Sequence, residues 1–512
     1  MNSTMANKKL WLQNIPLHPF FFASYPVLAL LASNITQVYF SAGLRPLVIS
    51  ILMAGVLLLI SFWIYRDWRQ SGLVSSIILV LFYSYGHVYN LLTGNNIDGH
   101  ALFQHRFLIP LWLGLAILMV WWVSRGAKDF SLATYILNLV SLFLLIFPVA
   151  ELTNYFVQRK ISDASFERDT PALNLKIRSE TPDIYYIILD GYGRADVLKK
   201  YGYDNSDFLN SLRGSGFFVA DCAQSNYAQT QMSLASSLNF NYISALSDRF
   251  VPGSKDRTGL NTLIQHSTVR KSLEKAGYKT IGFATGFPMT ELTDADYFLS
   301  PPRSWKELSE FESLLVKTTL AGLAQDNNSL DMSNSNPELF RERTLFTLDK
   351  LDKLSSIKGP KFVFVHLVIP HPPFVFGPTG GPATPVQAGM TRTQQIADHY
   401  RDQTIYISSR IMEIVPKIIA NSTTPPIIVI QGDHGPTVPS GAQPRMKNLN
   451  VYFLPGVTPP LYSTITPVNT FRIIFNTYFG QNLELLDDVS LYSDYNKPFD
   501  YKVIPNFCNI SN

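Results

Sequence analysis

Carboxylate and imidazole side chains stand directly after three apolar segments that have the character of buried parallel strands: Asp190 after 183–189, His371 after 361–369, and Asp433 with His434 after 426–430. Continuous apolar runs of this length are typical of strands buried on both faces of a sheet. In an open α/β sheet, ligands bind at the carboxyl ends of the strands. We therefore expect these four side chains to meet at one edge of a sheet.

Asp190, Asp433 and His434 have the chemistry of a site for one divalent metal ion. Carboxylate oxygens and an imidazole nitrogen are ligands for Mn²⁺, Mg²⁺ or Zn²⁺. Each residue also has a purely structural interpretation. Asp190 and Gly191 form a common turn pair, and His371, which precedes two prolines, could serve only to shape a loop. The conjunction of these residues at three strand ends favours a functional site.

Thr230 lies in the segment 226–234, Asn-Tyr-Ala-Gln-Thr-Gln-Met-Ser-Leu, which follows the strand-like run 217–220 and opens a predicted helix. The N–H groups and the dipole at a helix N-terminus favour negative charge, so this hydroxyl would stand at a phosphate-binding position. The structural alternative is that Thr230 caps the helix. The two roles are compatible, because the cap position also binds phosphate.

The elements around these residues alternate between strand-like and helix-like patterns, which predicts an α/β fold with a largely parallel sheet. The predicted strands are 183–189, 217–220, 280–284, 361–369, 426–430 and 451–454. The predicted helices are 205–213, 233–238, 260–276, 337–354 and 393–419.

The first 150 residues have a different character and predict a membrane anchor. The 512-residue chain carries 16% charged and 13% aromatic residues, and its mean hydropathy is +0.09. Each of five apolar stretches approaches the ~20 residues that a helix needs to cross a bilayer. They are 15–33, 47–65, 73–92, 107–124 and 130–149. We expect a five-helix anchor at 1–150, a linker at 151–181 and a catalytic α/β domain at 182–512.

Basic residues in the short loops predict the orientation of this anchor. One side of the predicted membrane has only Arg45 and Arg106, and the other has Lys8, Lys9, Arg66, Arg69, Arg125 and Lys128. The positive-inside rule then places the N-terminus in the cytoplasm and, after five crossings, the α/β domain outside. We expect a multi-pass protein of the inner or plasma membrane with a periplasmic catalytic domain.

Charge and cysteine content exclude other classes. The net charge is only +4 and no Lys/Arg block occurs, so nucleic acid is not an expected partner. The two cysteines, Cys222 and Cys508, form no CxxC pair, which excludes a disulfide scaffold and a cysteine-based zinc site. Whether these two cysteines pair with each other stays open at this point.

The order Asp-Gly, Thr at a helix start, His-Pro and Gly-Asp-His-Gly resembles the alkaline phosphatase superfamily. With an anchor before an outside domain, the chain resembles the sulfatase-like membrane transferases, namely lipoteichoic acid synthases and phosphoethanolamine transferases. The resemblance implies that Thr230 is the nucleophile and also a metal ligand, together with Asp190, Asp433 and His434. It implies that His371 holds the substrate phosphate. Asp190 stands where this branch usually has a glutamate.

Two features differ from the resemblance. None of the nine histidines follows His434, where members with two metal ions carry a further ligand, so we expect a single divalent ion. The sulfatase nucleophile motif, Cys or Ser followed by x-Pro-x-Arg, is absent, and Cys222 is followed by Ala-Gln-Ser-Asn. Hydrolysis of sulfate esters through a formylglycine is therefore not expected.

The predicted activity is transfer of a phospho-alcohol head group, phosphoethanolamine or phosphoglycerol, from a membrane phospholipid to a surface glycan or lipid. Thr230 would attack phosphorus in line, aided by the metal ion, and form a phospho-threonine intermediate. His371 suits binding of a phosphoryl oxygen or protonation of the leaving oxygen, and Arg194 could pair with phosphate or form a salt bridge. The alternatives are a phosphate- or sulfate-ester hydrolase of the same superfamily and a non-catalytic membrane protein that kept the fold.

Overall fold

The computed structural model describes residues 15–94, 105–126, 129–169, 171–177, 181–302, 308–324, 337–384, 390–437 and 441–508. Lys8, Lys9 and Lys128, which contributed to the orientation prediction, lie outside the described residues. The chain divides into two compact units. The first comprises residues 1–157 and 304–336, and the second comprises residues 158–303 and 337–512.

The first unit is built from five helices: α1 (His18–Asn34), α2 (Leu44–Tyr65), α3 (Trp68–Gly94), α4 (His105–Arg125) and α5 (Ser131–Asp169). Four spans among the described residues are long and apolar enough to cross a membrane: Phe40–Tyr65, Trp68–Leu92, His105–Arg125 and Ser131–Ile161. Their surfaces carry many exposed Leu, Ile, Phe and Trp side chains, which suits contact with lipid rather than with water. An apolar helical N-terminal region was thus predicted correctly.

The predicted count of five membrane spans is not confirmed. The stretch 15–33 does form a helix, but α1 has only 17 residues, with Pro19 in its first turn and Pro26 inside it. At 1.5 Å per residue it is at the short limit for crossing a ~30 Å hydrocarbon core. A sequence stretch of suitable hydrophobicity therefore does not by itself establish a crossing.

A segment that belongs in sequence to the second half of the chain packs within the first unit. It contains α12 (Glu310–Lys317) and a 3₁₀ turn at Leu320–Ala324. Glu312 forms an ion pair with Arg45 at the start of α2, and the backbone N–H of Gly86 in α3 donates to the carbonyl of Thr318. Apolar side chains of α12 join a cluster with α1 and α5: Val27, Leu31, Ala32, Ile35, Leu152, Phe311 and Leu315. The segment is thus an integral part of the helical unit, which the sequence did not predict.

The second unit contains a seven-stranded sheet in the order β2-β7-β6-β1-β5-β3-β4. Its strands are β1 (Ile184–Leu189), β2 (Phe218–Val219), β3 (Lys279–Phe283), β4 (Tyr297–Leu299), β5 (Lys361–Leu367), β6 (Ile427–Gln431) and β7 (Asn450–Phe453). The five strands from β6 to β4 are mutually parallel, and β7 runs antiparallel to both of its neighbours. The largely parallel sheet is therefore confirmed.

Helices cover both faces of this sheet, and two apolar clusters fill the layers between them. The helices of this unit are α6 (Ala195–Leu198), α7 (Ser206–Gly214), α8 (Thr230–Leu238), α9 (Ile243–Leu246), α10 (Thr258–Gln265), α11 (Thr268–Lys275), α13 (Pro337–Leu351), α14 (Arg392–Asn421), α15 (Ala442–Met446) and α16 (Thr470–Phe479). A two-stranded ribbon, β8 (Leu491–Tyr492) with β9 (Lys502–Val503), completes the unit.

Local differences from the predicted elements have simple causes. The predicted helix 260–276 is two helices, α10 and α11, because Ser267 leaves the helical region and caps α11 through its hydroxyl. α5 continues to Asp169, so half of the predicted linker 151–181 is helical. The boundaries of the predicted domains remain predictions, since compactness alone divides the chain differently at 304–336.

Candidate active site

The carboxyl ends of β1, β5 and β6 lie side by side at the centre of the sheet and bring the predicted side chains together. Leu189, the last residue of β1, is in register with Leu367, the last residue of β5. Asp190 follows β1 directly, and its backbone carbonyl accepts from the N–H of His371 in the loop after β5. The sheet register therefore places these two loops against each other, as their sequence positions predicted.

Asp433 and His434 lie in the turn after β6, between two glycines at positions where no larger residue fits. A Cβ on Gly432 would lie 2.4 Å from the carbonyl oxygen of Tyr192, and one on Gly435 would lie 2.1 Å from that of Pro444. Only glycine fits where two chain segments approach so closely. The glycines in the Gly-Asp-His-Gly sequence thus serve close backbone packing that fixes the direction of both side chains.

Two buried carboxylates face each other across this site. Asp433 Oδ1 accepts from the backbone N–H groups of Gly191 and of His434, each at 2.9 Å. Its second oxygen, Oδ2, is buried without a hydrogen-bond partner, and so is Oδ1 of Asp190. Buried polar atoms are nearly always satisfied, so two free carboxylate oxygens in one place indicate a missing cation.

The electrostatics of the pair support this interpretation. Burial and the nearby Asp190 raise the pKa of Asp433 to about 6. Burial would also raise the pKa of Asp190, but the imidazoles of His371, His366 and His434 outweigh it and hold that pKa below its ordinary value. Two carboxylates that share a buried space resist simultaneous ionisation, and a divalent cation between them removes this conflict.

Thr230 is the first residue of α8, and its side chain lies in the same site. The Oγ1 atom is 3.2 Å from His434 Nε2. Gln229 occupies the N-cap position, and its side chain does not cap the helix. The cap interpretation of Thr230 is therefore not what the structure shows. Thr230 is partly exposed, which leaves the hydroxyl accessible to a substrate.

Ser233, the other hydroxyl of the Thr-x-x-Ser motif, has a different role in the structure. Its Oγ donates to the backbone carbonyl of Asp433 at 2.6 Å, and the residue is buried. A hydroxyl engaged in this way supports the turn that carries Asp433. Thr230 is consequently the hydroxyl that is positioned for chemistry.

The tautomer of His434 suits a metal ligand. Its Nδ1 lies 2.9 Å from the carbonyl oxygen of Gly435, an atom that can only accept, so Nδ1 carries the proton and Nε2 has the lone pair. Burial and the neighbouring Arg445 lower the pKa of His434 well below its ordinary value, which keeps the imidazole neutral. Nε2 lies 3.2 Å from Thr230 Oγ1, 3.2 Å from Asp433 Oδ2 and 3.7 Å from Asp190 Oδ1, and its lone pair accepts a hydrogen bond from Arg445 Nη2 at 2.9 Å.

His366 is a functional residue that the sequence analysis missed. It lies on β5 and is buried, and its Nε2 is 3.3 Å from Asp190 Oδ2, while its Nδ1 is 2.9 Å from Thr290 Oγ1. The donor atoms of Asp190, His366 and Asp433 lie within 4.8 Å of one another, the spacing of metal ligands. The signal was available in principle, since an ionisable residue inside an apolar strand is unusual.

His371 and Arg194, the two predicted substrate-binding residues, occupy different surroundings. His371 is partly exposed beside Asp190, and its Nδ1 is 2.7 Å from the carbonyl oxygen of Pro372. Arg194 is 5% exposed, and Asp196 holds it at 2.8 and 3.1 Å through Nε and Nη2. The structure therefore brings His371 to the site, whereas Arg194 is engaged elsewhere and its substrate role stays a prediction.

The loop that leads into α8 is fastened to the C-terminal part of the chain. Cys222 and Cys508 form a disulfide across 286 residues of sequence, with 5.5 Å between their Cα atoms. Asn506 donates to the carbonyl of Cys222, and Gln229, directly before Thr230, donates to the carbonyl of Ser493. The question that the sequence left open is thus answered, and the nucleophile loop is braced on its outer side.

The residues of this site fit a divalent metal ion. Buried carboxylate oxygens without hydrogen-bond partners, an unprotonated imidazole nitrogen and a hydroxyl converge here, and the imidazole nitrogen accepts a hydrogen bond from Arg445. Asp190, Asp433, His434 and Thr230 form the predicted ligand set, and His366 adds a fifth donor. Hard and borderline divalent ions prefer such mixed oxygen and nitrogen ligands.

No protein-family model and no curated protein matches the sequence. Similar solved structures include the Zn complex of the C-terminal periplasmic domain of EcEptC from Escherichia coli (13% identity, TM-score 0.43), which aligns over 65% of this chain and 96% of that one. The integral membrane lipooligosaccharide phosphoethanolamine transferase A (EptA) from Neisseria meningitidis aligns over 86% and 88%, with 12% identity and a TM-score of 0.35. An alkaline phosphatase superfamily protein from Vibrio parahaemolyticus aligns over 66% and 82%, with 9% identity and a TM-score of 0.38. We base the function of this protein on the geometry of its site alone.

Proposed function

We propose that this protein is a membrane-anchored phosphotransferase that moves a phospho-alcohol head group from a membrane phospholipid to a surface glycan or lipid. One observation carries the proposal: an accessible threonine hydroxyl at a helix start lies within 3.2 Å of His434 Nε2, beside two buried carboxylates with free oxygens. A nucleophile and a cation site are thus arranged around one point where a phosphorus atom can sit.

The metal ion would be held by Asp190, Thr230, Asp433 and His434. When bound, it supplies positive charge that favours the alkoxide of Thr230 and the negative oxygens of the phosphoryl group. The glycines around Asp433 and the hydroxyl of Ser233 keep the ligand turn fixed. Preorganisation of this kind is the main contribution that protein residues make to phosphoryl transfer.

The chemistry at Thr230 proceeds in two balanced halves. Thr230 Oγ1 gives its proton to solvent and forms a bond to phosphorus, while the bond from phosphorus to the lipid alcohol breaks and His371 gives a proton to the leaving oxygen. In the second half, the hydroxyl of an acceptor gives its proton to His371 and attacks the same phosphorus, the bond to Thr230 breaks, and the threonine oxygen regains a proton from solvent. Thr230 and His371 are both partly exposed, as these proton exchanges require.

The helical unit supports an orientation with the α/β domain outside. Arg66, Arg69 and Arg125 lie at one end of the bundle, where Arg69 contacts Asp129 at 2.9 Å and so joins the starts of α3 and α5. The opposite end carries Arg45, which is ion-paired with Glu312, and Arg106. The positive-inside rule then assigns the Arg69 end to the cytoplasm. The Cys222–Cys508 disulfide is consistent with an oxidising periplasmic location of the second unit.

Mass spectrometry of the full-length protein after exposure to defined vesicles tests the proposal. Vesicles of phosphatidylethanolamine or of phosphatidylglycerol should leave the corresponding head-group phosphoester on the peptide that contains Thr230. Ser233→Ala should retain this adduct, and an adduct on Ser233 instead would contradict the assignment. Faster release of the adduct to an added alcohol than to water distinguishes the transferase from a hydrolase of the same superfamily.

A further inference from the structure

Arg445 is a guanidinium at the active site that no part of the proposed chemistry has used. It lies on the short helix α15, eleven positions after His434, and it is partly exposed. Its Nη2 is 2.9 Å from His434 Nε2, the same nitrogen atom that lies 3.2 Å from Thr230 Oγ1. The guanidinium and the nucleophile are therefore immediate neighbours.

The remaining contacts of Arg445 hold its plane in place. Nε donates to the carbonyl of Ala228 at 2.8 Å, and Nη1 donates to the carbonyl of Gly435 at 3.2 Å and to Thr437 Oγ1 at 2.6 Å. Two of these partners belong to segments that carry the site, the loop before Thr230 and the turn after His434. The side chain is thus fixed by neutral acceptors, and its one contact inside the site is with a neutral imidazole.

No carboxylate among the described residues forms an ion pair with Arg445. Other buried or half-buried arginines of the second unit do have such a partner, as Arg194 has with Asp196 and Arg270 with Asp294. Asp433 and Asp190 attract Arg445 electrostatically, but neither forms a contact ion pair with it. Its charge is therefore available to an anionic ligand that binds beside Thr230. Arginine is also suited to phosphate because its planar fork donates two parallel hydrogen bonds.

We propose that Arg445 binds the phosphoryl oxygens of the donor beside Thr230 and provides the second positive charge of this site. The inference rests on the proposed function and deepens it. A phosphoryl oxygen replaces His434 Nε2 as the acceptor of the Nη2 hydrogen bond, because charge-assisted hydrogen bonds are about twice as strong as neutral ones. His434 Nε2 then becomes available as a ligand.

Calorimetric titration of inorganic phosphate into the full-length protein, with and without bound Mn²⁺ or Zn²⁺, tests the inference. Arg445→Ala should weaken phosphate binding about 10- to 100-fold, the usual effect of losing hydrogen bonds to a charged group. Arg445→Lys should restore part of the affinity, and millimolar guanidinium ion should restore phosphate binding to Arg445→Ala. The matched control is Arg213→Ala, which removes an arginine of α7 that is ion-paired with Asp221.

Three results would overturn the role of Arg445: no phosphate binding by the wild-type protein, wild-type affinity in Arg445→Ala, or a loss of affinity that only follows a loss of bound metal. The third result would mean that Arg445 merely positions His434. The Thr230 adduct is measured separately. If phosphate binding depends on Arg445 but no adduct forms from any vesicle, the proposed transfer fails while the anion site stands. If Arg445→Ala forms the Thr230 adduct at the wild-type rate, the proposed transfer stands and the phosphate-binding role of Arg445 fails.

Discussion

The two ends of strand β1 carry aspartates in opposite states. Asp183 precedes the strand, and Lys361 on β5 binds its carboxylate at 2.5 Å through Nζ and at 3.1 Å through its backbone N–H. Asp190 follows the strand, and it is buried with one oxygen that has no partner. The same pair of neighbouring strands, β1 and β5, thus carries an ion-paired carboxylate at one end and, at the other, a carboxylate with one oxygen that has no hydrogen-bond partner.

This difference separates structural charge from functional charge. A buried charge that is paired and hydrogen-bonded contributes to the native state, whereas one left without a partner costs free energy unless a ligand completes it. Asp183 is complete within the chain. Asp190 and Asp433 each keep one buried oxygen without a hydrogen-bond partner, which the proposed cation would complete.

Substitution of the nucleophile should give the largest effect. Thr230→Ala should lower transfer activity by several orders of magnitude, because the covalent route disappears, while the three remaining ligands Asp190, Asp433 and His434 still hold the metal, as elemental analysis at saturating metal should detect. A structural threonine would instead lose only about 1 kcal/mol of stability and keep its turnover. Near-normal turnover in the alanine variant would therefore show that Thr230 has a structural role and is not the nucleophile.

Asp190→Asn should lower metal affinity at least 100-fold, a size typical of losing a charged ligand rather than an outer contact. The metal-free variant should unfold at a higher temperature than the metal-free wild-type protein, since one of two mutually repelling carboxylates is gone. Thermal unfolding in detergent with and without added metal measures both effects. A metal-free variant that is less stable than the wild type would show that Asp190 is a structural group.

Asp183→Ala should have the opposite signature. It leaves Lys361 Nζ, whose side chain is 4% exposed, buried without its partner. Removal of one member of a buried pair costs about 3–5 kcal/mol. The unfolding temperature should fall equally with and without metal, and metal affinity should not change. A metal-dependent loss would show that the two ends of β1 are coupled.

The smallest effect is a pH dependence from Asp433. Its pKa is raised to about 6 in the folded protein against 3.8 for the free group, so the folded state holds a proton that the unfolded state has lost between these values. The free energy of unfolding of the metal-free protein should therefore fall as pH rises from 4 to 7, by about 3 kcal/mol relative to Asp433→Asn. The pKa of Asp190 is lowered, so this group changes the free energy of unfolding only at pH values below its ordinary pKa, which lie outside the range from pH 4 to 7. Equal pH profiles for the two proteins would contradict the repulsion between Asp190 and Asp433.

The sequence predicted the central strands well because their apolar runs end in polar residues that cannot continue a buried strand. All six predicted strands exist, and Asp190, Thr230, Asp433 and His434 meet as expected. The short strand β4 and the ribbon β8–β9 were missed, since two or three residues carry no periodicity. The packing of 308–324 within the helical unit was missed because it depends on a contact between Arg45 and Glu312, which are 267 positions apart.

Residues of the site that the sequence analysis missed carry only a weak local signal. His366 lies within an apolar run, where it resembles a residue of the core, and only the register of β5 with β1 brings it to Asp190. Arg445 lies in a region of turns, and its proposed role can be inferred only from the position of its guanidinium beside His434. Conversely, Arg194 follows the Asp-Gly-Tyr-Gly turn, and of its two predicted roles, pairing with phosphate or with a carboxylate, the structure shows the ion pair with Asp196. Sequence neighbours of a site residue are therefore weaker guides than spatial partners.

The disulfide between Cys222 and Cys508 has a consequence for the order of events during biosynthesis. A chain that crosses the membrane from its N-terminus presents Thr230 long before Ser493, Asn506 and Cys508 have emerged to brace the preceding loop. The catalytic loop thus reaches its final geometry only after 286 further residues have been exported. In the proposed function, the loop before Thr230 would therefore lack its braces, and the site would stay incomplete, until the segment that carries Cys508 has been exported.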